Sequence, residues 1–169
     1  MLGTIALVPV VRGDDAGDMA DPRRFDTQGI ELLDEDECWR FLARNWLGRV
    51  GLVHLDRPMI FPVGYALDGR SVVFRTAPGT KLSLAGVGVP AVFEVDEASK
   101  LLESGTSVMV HGTLREVVEA EQRERLSWLP LRTWAPGDRD HFVSIEAHAV
   151  AGRRIGPAHA DDGVDADGG

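Results

Sequence analysis

The sequence predicts a mainly β domain in which six strands form a closed or partly closed barrel with a few helices beside it. Short runs that alternate apolar and polar residues recur along the chain, which indicates strands with one buried face. Turn signals such as Asp68-Gly69 separate some of these runs by only a few residues, which favours antiparallel neighbours. We expect the sheet to close because closure removes the edges that a flat sheet would expose.

The first element is a helix over residues 34–46, "DEDECWRFLARNW". Asp34 can cap the first turn while Glu37, three residues later, can reach back to the cap, which is a capping-box arrangement. An apolar stripe near helical spacing contains Cys38, Phe41, Leu42 and Trp46, with Trp39 beside it. The pattern indicates an amphipathic helix that packs on the core, with Cys38 as a small buried hydrophobe.

Strands follow the helix. "RVGLVHL" and "MIFPVGYAL" are separated by the hairpin-length turn Asp56-Arg57-Pro58, and "ALDGRSVVF" contains the hairpin signal Asp68-Gly69, so we expect three antiparallel strands in succession. The later predicted elements are a short helix at 81–86, a strand at 91–96, a long strand at 107–118, a helix at 119–129 and a final strand at 142–155. Gly112 interrupts the long strand and predicts a bend or bulge there.

The composition bounds the class of protein. The chain has 169 residues, a hydrophobic fraction of 44% and a charged fraction of 27%, which is typical of one soluble globular domain with flexible ends. The net charge of -9 argues against nucleic acid as a general partner, and no apolar run is long enough to span a membrane. The single cysteine excludes an internal disulfide and a thiolate zinc site, and it suits a reducing cytoplasm. The histidines lack metal-like spacing, so we predict no metal.

Both ends differ from the middle of the chain. Residues 1–28 are expected to be a disordered N-terminal extension, and residues 156–169 are expected to be a disordered acidic tail rich in Gly, Ala and Asp. The apolar start lacks a basic leader and a small-residue cleavage site, so we do not interpret it as a secretory signal. Met19 is an alternative start. The folded domain is then residues 29–155.

The loop "FRTAPGTKL" has more polar groups than a turn needs. Arg75 ends a strand, Thr76 and Thr80 bracket a tight turn, and Lys81 opens a helix whose amides and dipole favour an anion. Arginine can hold a phosphate with two parallel hydrogen bonds, and lysine adds a mobile charge. Two interpretations stay open from these residues, namely a phosphate site and a capped helix with two solvated cations.

The order of the motifs identifies a resemblance. "GRVGLV", "PMIFPVGYALDGRSVVFRTAPGTKL", "AVFEVDE", "SVMVHG" and "GRRI" together resemble the pyridoxamine 5'-phosphate oxidase-like flavoproteins, especially their small actinobacterial-type branch. The resemblance covers residues 29–155. It implies a six-stranded split β-barrel and a homodimer with FMN in each of two clefts at the subunit interface.

The resemblance also implies roles for particular residues. Those expected at the FMN phosphate are Arg75, Thr76, Thr80 and Lys81. Arg75 is expected to contribute most, because its guanidinium can donate two parallel hydrogen bonds to the phosphate. Those expected beside the flavin ring are Pro62, Val63 and Tyr65, where Gly64 stands in place of the asparagine of many relatives. Ser107 lies in the strand that approaches the flavin from the partner subunit, and Trp134 is a candidate to stack over the ring edge.

Two departures fall on the expected substrate side. Thr106 replaces a tryptophan of the family and His111 replaces an arginine, so the resemblance does not carry a substrate. His111 is a candidate to donate a proton or to hold an anionic substrate, and a structural role is its alternative.

Three function classes follow from the resemblance. The first is a flavin-dependent oxidoreductase acting on a small molecule, the second is a flavin-binding protein for storage or sensing without catalysis, and the third is a reductase that holds a deazaflavin cofactor instead of FMN. Oxidation of pyridoxamine phosphate itself is less favoured, because no second phosphate site is evident in the sequence.

Overall fold

Six strands form a closed antiparallel ring in the computed structural model, which describes residues 25–26, 30–131 and 140–156. In chain order the elements are β1 (Glu31–Leu33), α1 (Glu35–Arg44), β2 (Leu47–His54), β3 (Arg57–Asp68), β4 (Ser71–Thr76), α2 (Thr80–Val87), β5 (Val89–Ser99), β6 (Ser104–Glu116), α3 (Ala120–Ser127) and β7 (His141–Ile155). The strand order is β1-β7-β4-β3-β2-β5-β6, and a further pairing of β6 with β7 closes the ring. The predicted mainly β split-barrel fold is confirmed.

The described part contains a seventh strand that the sequence analysis did not predict. β1 is three residues long and pairs with the end of β7, with Leu33 opposite Gly152. Three residues are too few for an alternating pattern to be recognised. A Cβ atom at Gly152 would lie 2.7 Å from the Cys38 sulfur and 2.9 Å from a Leu33 methyl carbon, so the glycine lets β1 and α1 pack closely on β7.

The capping box of α1 is confirmed. The Asp34 carboxylate accepts a hydrogen bond from the Glu37 amide at 2.7 Å, and the Glu37 carboxylate accepts one from the Asp34 amide at 2.9 Å. Cys38, Phe41 and Leu42 are buried as expected. Trp46 was wrongly placed in the helix, because α1 ends at Arg44, and the Trp46 side chain is 44% exposed.

The first hairpin turn lies earlier in the chain than predicted, and the predicted bulge in β6 is present. The first hairpin turns at Leu55 and Asp56, both with positive φ (49° and 57°), so Arg57 and Pro58 belong to β3 rather than to the turn. The predicted bulge is present, since the register of β6 against β7 shifts between His111 and Gly112.

Two apolar clusters lie on opposite sides of the sheet. The larger fills the ring and includes Val72 and Phe74 of β4. The smaller lies under α3, and its buried members are Val73, Val117, Leu126 and Phe142. Successive residues of a strand face opposite sides, so β4 supplies side chains alternately to the two clusters. Among the described elements no helix has the length and apolarity needed to cross a membrane.

Candidate functional site

The turn between β4 and α2 lines a cavity of about 150 Å³. The residues around this cavity, which we call the turn cavity, are Phe61, Thr76, Ala77, Pro78, Gly79, Thr80 and Lys81. All but Phe61 are consecutive, so a single short loop builds most of the wall. Phe61 comes from β3 and forms the rest of the wall.

The backbone of this turn depends on Gly79. Gly79 has φ 150° and ψ −166°, a region that essentially only glycine adopts, and a Cβ atom there would meet nothing within 4 Å. The need for glycine is therefore conformational rather than steric. Gly79 also occupies the N-cap of α2, and glycine has no side chain with which to accept a hydrogen bond from the helix. The first amides of a helix have no acceptor within the helix, and together with the helix dipole they suit an anion.

The polar side chains of the turn cavity add to this N-terminus. The Lys81 ammonium nitrogen lies 4.4 Å from the centre of the Phe61 ring. The Thr76 side chain is buried, and its hydroxyl donates to the Ala77 carbonyl at 3.1 Å. Thr80 is the first residue of α2. The structure therefore brings Thr76, Thr80 and Lys81 of the expected phosphate set into one cavity.

Arg75, the fourth member of that set, lines a different cavity. This second cavity has a volume of about 360 Å³ and lies between α3 and the neighbouring ends of β4 and β7. The Arg75 guanidinium contacts the Asp140 carboxylate at 3.1 Å and lies 5.4 Å from the centre of the Phe142 ring. Because Arg75 and Thr76 are consecutive in β4, their side chains leave opposite faces of the strand.

The three residues expected beside the flavin ring divide between inside and outside. Val63 and Tyr65 are buried in the ring of strands, whereas Pro62 is exposed. The Tyr65 hydroxyl donates to the Leu42 carbonyl at 2.6 Å and its amide donates to the Trp46 carbonyl at 2.9 Å. Burial, followed by the charge of Glu97, raises the pKa of the Tyr65 phenol. The side chains of Val63 and Tyr65 thus serve the core rather than a ligand.

Ser107 and His111 are exposed on the outer face of β6. The register places His111 opposite Val92, Val92 opposite Gly51, and Gly51 opposite Ile60. The adjacent row runs Pro62, Arg49, Glu94 and Met109 across the same four strands. Ser107, His111 and Pro62 therefore share the outer face of β3, β2, β5 and β6, which we call the outer face below.

Charged groups cross the centre of the outer face. The Arg49 guanidinium contacts the Glu94 carboxylate at 3.3 Å and also contacts Asp96. Partial burial and then the charge of Asp96 raise the pKa of Glu94, while Arg49 lowers it. The hydrogen bond and charge of Asp96 raise the pKa of Arg49.

Other residues complete the account of the candidate site. Trp134 lies outside the described residues. Within the described residues no group of three or more His, Cys, Asp or Glu is placed to hold a metal ion.

The sequence analysis missed Phe61 in the turn cavity and Arg123 and Asp140 in the second cavity. Phe61 could have been found because it directly precedes Pro62, which was a predicted site residue. Asp140 could have been found because it directly precedes β7, and β7 pairs with β4, the strand of Arg75.

The chain belongs to the pyridoxamine 5'-phosphate oxidase family, because the family model with that description matches residues 34–154. An uncharacterized protein of Mycobacterium tuberculosis, Rv0080, is 37% identical over 129 residues, which are 73% of this chain and 84% of that protein. The family resemblance seen in the sequence is confirmed.

Two solved structures show the same fold at similar coverage. The FAD binding protein of Mycobacterium smegmatis is 31% identical, with a TM-score of 0.64 over 75% of this chain and 98% of that chain. A protein of Corynebacterium glutamicum, named as a candidate pyridoxamine 5'-phosphate oxidase, is 29% identical, with a TM-score of 0.68 over 76% of this chain and 99% of that chain.

Proposed function

We propose that the protein binds a flavin whose phosphate lies in the turn cavity, with FMN or FAD as the ligand. The observation that carries this proposal is that Thr76, Thr80 and Lys81 line one cavity at the N-terminus of α2, whose N-cap residue is a glycine. The similarity to an FAD binding protein at 31% identity supports a flavin.

Each group of the turn cavity would contribute differently to phosphate binding. The first amides of α2 would donate hydrogen bonds, and the helix dipole would favour the negative charge. The Lys81 ammonium would add a point charge on a flexible stem. The Lys81 ammonium lies over the Phe61 ring at the wall of the turn cavity, which places its charge beside the proposed phosphate.

We also propose that two copies of the chain form a homodimer through the outer face. Four large apolar side chains lie exposed on this face, namely Leu47 (37%), Val53 (60%), Ile60 (71%) and Met109 (40%). A two-fold partner would bring its residues Ser107 to His111 near the turn cavity and supply a second wall for the flavin. Most of a ligand's surface is usually buried in its site, and one shallow turn cavity of about 150 Å³ is too small for this.

A charge introduced into the apolar part of the outer face tests the dimer. Ile60→Asp should convert the dimer to a monomer and lower its flavin content, as seen by light scattering and absorbance. Leu101→Asp is the matched control, because Leu101 is 93% exposed in the turn between β5 and β6. A monomeric parent protein that carries a full complement of flavin would contradict this proposal.

The reaction we propose is flavin-dependent oxidation or reduction of a small molecule. A bound flavin supplies hydride or electron transfer, and the protein supplies orientation and electrostatics. His111 is the candidate proton donor, reaching the partner's cofactor from the outer face.

A second candidate function, flavin binding without catalysis, is favoured by one observation. In the part of the chain that the structure describes, neither cavity is lined by a His, Cys or Tyr side chain.

Identification of the bound molecule tests the proposal. The visible spectrum of freshly purified protein, with mass analysis of the released ligand, distinguishes FMN, FAD and a deazaflavin. We expect FMN or FAD, and a deazaflavin or an empty protein that takes up no flavin would overturn the proposal. NADH and NADPH oxidation with and without candidate acceptors then separates the enzyme from the binding protein.

A further inference from the structure

The bulge between β6 and β7 brings together two histidines that are distant in the sequence. His111 of β6 pairs with Ala149 of β7, but the next residue of β6, Gly112, pairs with Ala147. His148 is therefore the extra residue of the bulge and has no partner in the ladder. The two histidines lie on strands that are direct neighbours, and such strands are about 4.8 Å apart.

The extra residue also sets the direction of the His148 side chain. Ala147 and Val150 both pack against the apolar cluster inside the ring, although a regular strand would turn residues three apart to opposite faces. The bulge absorbs this difference, so His148 lies on the outer side of β7, where it is exposed. Because His111 is exposed on the outer face of β6, the two imidazoles share one side of the sheet.

Thr113 joins the two histidines into one cluster, and we call His111, Thr113 and His148 the bulge site. The Thr113 hydroxyl oxygen lies 3.3 Å from Nε2 of His148, and the tautomer of the ring decides which group donates. Thr113 follows His111 by two residues in β6, so both side chains leave the same face of the strand. On β5, the residues opposite His111 and Thr113 are Val92 and Pro90, so this flank of the bulge site is apolar.

One carboxylate and one guanidinium flank the bulge site. Glu146 of β7 pairs with Thr113, and Arg115 lies two residues beyond Thr113 in β6; both side chains are exposed. Their opposite charges offset each other, so the histidines decide how the local charge changes with pH. Histidine is the side chain that ordinarily changes its charge between about pH 5 and pH 8. The bulge site therefore gains positive charge as the pH falls.

We propose that the bulge site binds the anionic group of a small-molecule substrate, such as a carboxylate or a phosphate. Two imidazoles and a hydroxyl supply hydrogen-bond donors for its oxygens, and a protonated imidazole forms the stronger, charge-assisted bond. A metal ion is the less favoured ligand, because no group of three or more His, Cys, Asp or Glu in the described chain is placed to hold one.

The inference deepens the proposed function by naming the class of substrate. It rests on that function in one respect, namely that a two-fold partner brings the outer face to its own flavin. An anion at the bulge site would then lie beside the flavin that carries out the reaction. His148, which neither the motifs nor the two cavities identify, becomes a binding residue next to His111.

The experiment titrates full-length protein, saturated with FMN so that the turn cavity is filled, with sulfate at constant ionic strength. Sulfate is the probe because it remains a dianion across the range in which histidine titrates. Histidine ring signals in NMR spectra report binding, and the variants His111→Gln and His148→Gln assign them. We expect sulfate to shift the signals of both rings and to bind at least about tenfold more tightly near pH 6 than near pH 8, as one charged hydrogen bond predicts.

The variants test whether the two histidines act together. His111→Gln and His148→Gln should each weaken sulfate binding about tenfold near pH 6, because glutamine retains a donor but takes up no proton. His54→Gln is the matched control. His54 pairs with Arg57 at the hairpin end of β2, away from the bulge, so this change should leave sulfate affinity unaltered.

Two outcomes overturn the inference. One is a parent protein in which sulfate near pH 6 shifts the signals of neither ring or of only one. The other is a sulfate affinity that both His111→Gln and His148→Gln retain. Failure of the proposed function has a different signature, because the protein would then take up no FMN, and the same titration without FMN still shows whether both rings respond to sulfate.

Discussion

Arg75 and Thr76 are neighbours in β4, yet their side chains line two different cavities on opposite faces of the strand. Thr76 faces the turn cavity with Lys81, whereas Arg75 faces α3 and contacts Asp140. This relationship separates the two cations that the sequence motif places six residues apart. We therefore expect Lys81, rather than Arg75, to contact the flavin phosphate that we propose for the turn cavity.

Arg75→Ala is accordingly expected to change FMN affinity by less than about threefold, although the sequence motif ranks Arg75 above Lys81. The reason is that the Arg75 guanidinium faces away from the turn cavity. Equilibrium titration of flavin-free protein with FMN measures the effect. A loss of tenfold or more would return Arg75 to the phosphate site.

Gly79→Ala is expected to destabilise the turn and weaken FMN binding. A residue with a Cβ atom at φ 150° carries a strain of roughly 1–3 kcal/mol, and relief of that strain would turn the first amides of α2 away from the cavity. The matched control is Gly86→Ala, since Gly86 lies within α2 and a Cβ atom there meets nothing within 4 Å. That change should stabilise the helix by about 0.5–1 kcal/mol. Thermal unfolding and FMN titration report the two effects, and unaltered behaviour of Gly79→Ala would argue against the described turn.

Tyr65→Phe is expected to lower stability by about 0.5–1.5 kcal/mol and to leave flavin content unchanged. The lost hydroxyl donates to the Leu42 carbonyl, which keeps a second donor in the Asn45 amide at 3.2 Å, so the cost stays moderate. The phenol faces the core and cannot reach a ligand outside the ring of strands. Denaturant unfolding and absorbance of the purified variant check the two expectations. A variant of normal stability that has lost its flavin would show that the hydroxyl serves the cofactor.

Cys38 is expected to make the protein less stable as the solution becomes alkaline. Burial first, then the charges of Asp34, Glu37 and Glu35, raises the pKa of the Cys38 thiol from 9.0 to about 11. The raised pKa means that the stabilising contribution is full below pH 9 and is lost as the pH rises toward 11. The free energy of unfolding should fall by on the order of 1 kcal/mol between about pH 9 and pH 10 from this group.

Cys38→Ala isolates that contribution, because alanine does not titrate. Its unfolding free energy should decline less than that of the parent over the same interval, because the raised pKa of Tyr65 affects both proteins alike. Parallel curves for the two proteins, measured by denaturant unfolding under reducing conditions, would contradict the burial of the thiol.

The fold followed from the sequence where the signals were local. The capping box at Asp34 and Glu37, the hairpin at Asp68-Gly69 and the bulge at Gly112 each depend on a few adjacent residues. Trp46 was misplaced because its spacing continues the helical stripe, although the chain leaves the helix at Asn45. Only tertiary packing distinguishes the two outcomes.

The part of the candidate site that could be predicted from the sequence is also the part formed by residues adjacent in the chain. Thr76, Thr80 and Lys81 lie within one short loop, so their proximity is local. The direction of Arg75 follows from strand alternation, which the motif alone does not display. The partners Asp140 and Arg123 lie 65 and 48 residues from Arg75 in sequence, and only the pairing of β4 with β7 and the packing of α3 bring them together.

The most direct test of the account compares FMN with riboflavin, which lacks the phosphate, on flavin-free protein and on Lys81→Ala. We expect the parent to bind FMN at least about tenfold more tightly than riboflavin, because a charged hydrogen bond contributes on the order of 1.5–3 kcal/mol. Lys81→Ala should lower FMN affinity roughly tenfold to a hundredfold and leave riboflavin affinity unchanged. Lys100→Ala, which removes the only other lysine of the chain from an exposed turn, should change neither. Equal affinity of the parent for FMN and riboflavin, or a preference for FMN that survives Lys81→Ala, would contradict a flavin phosphate in the turn cavity.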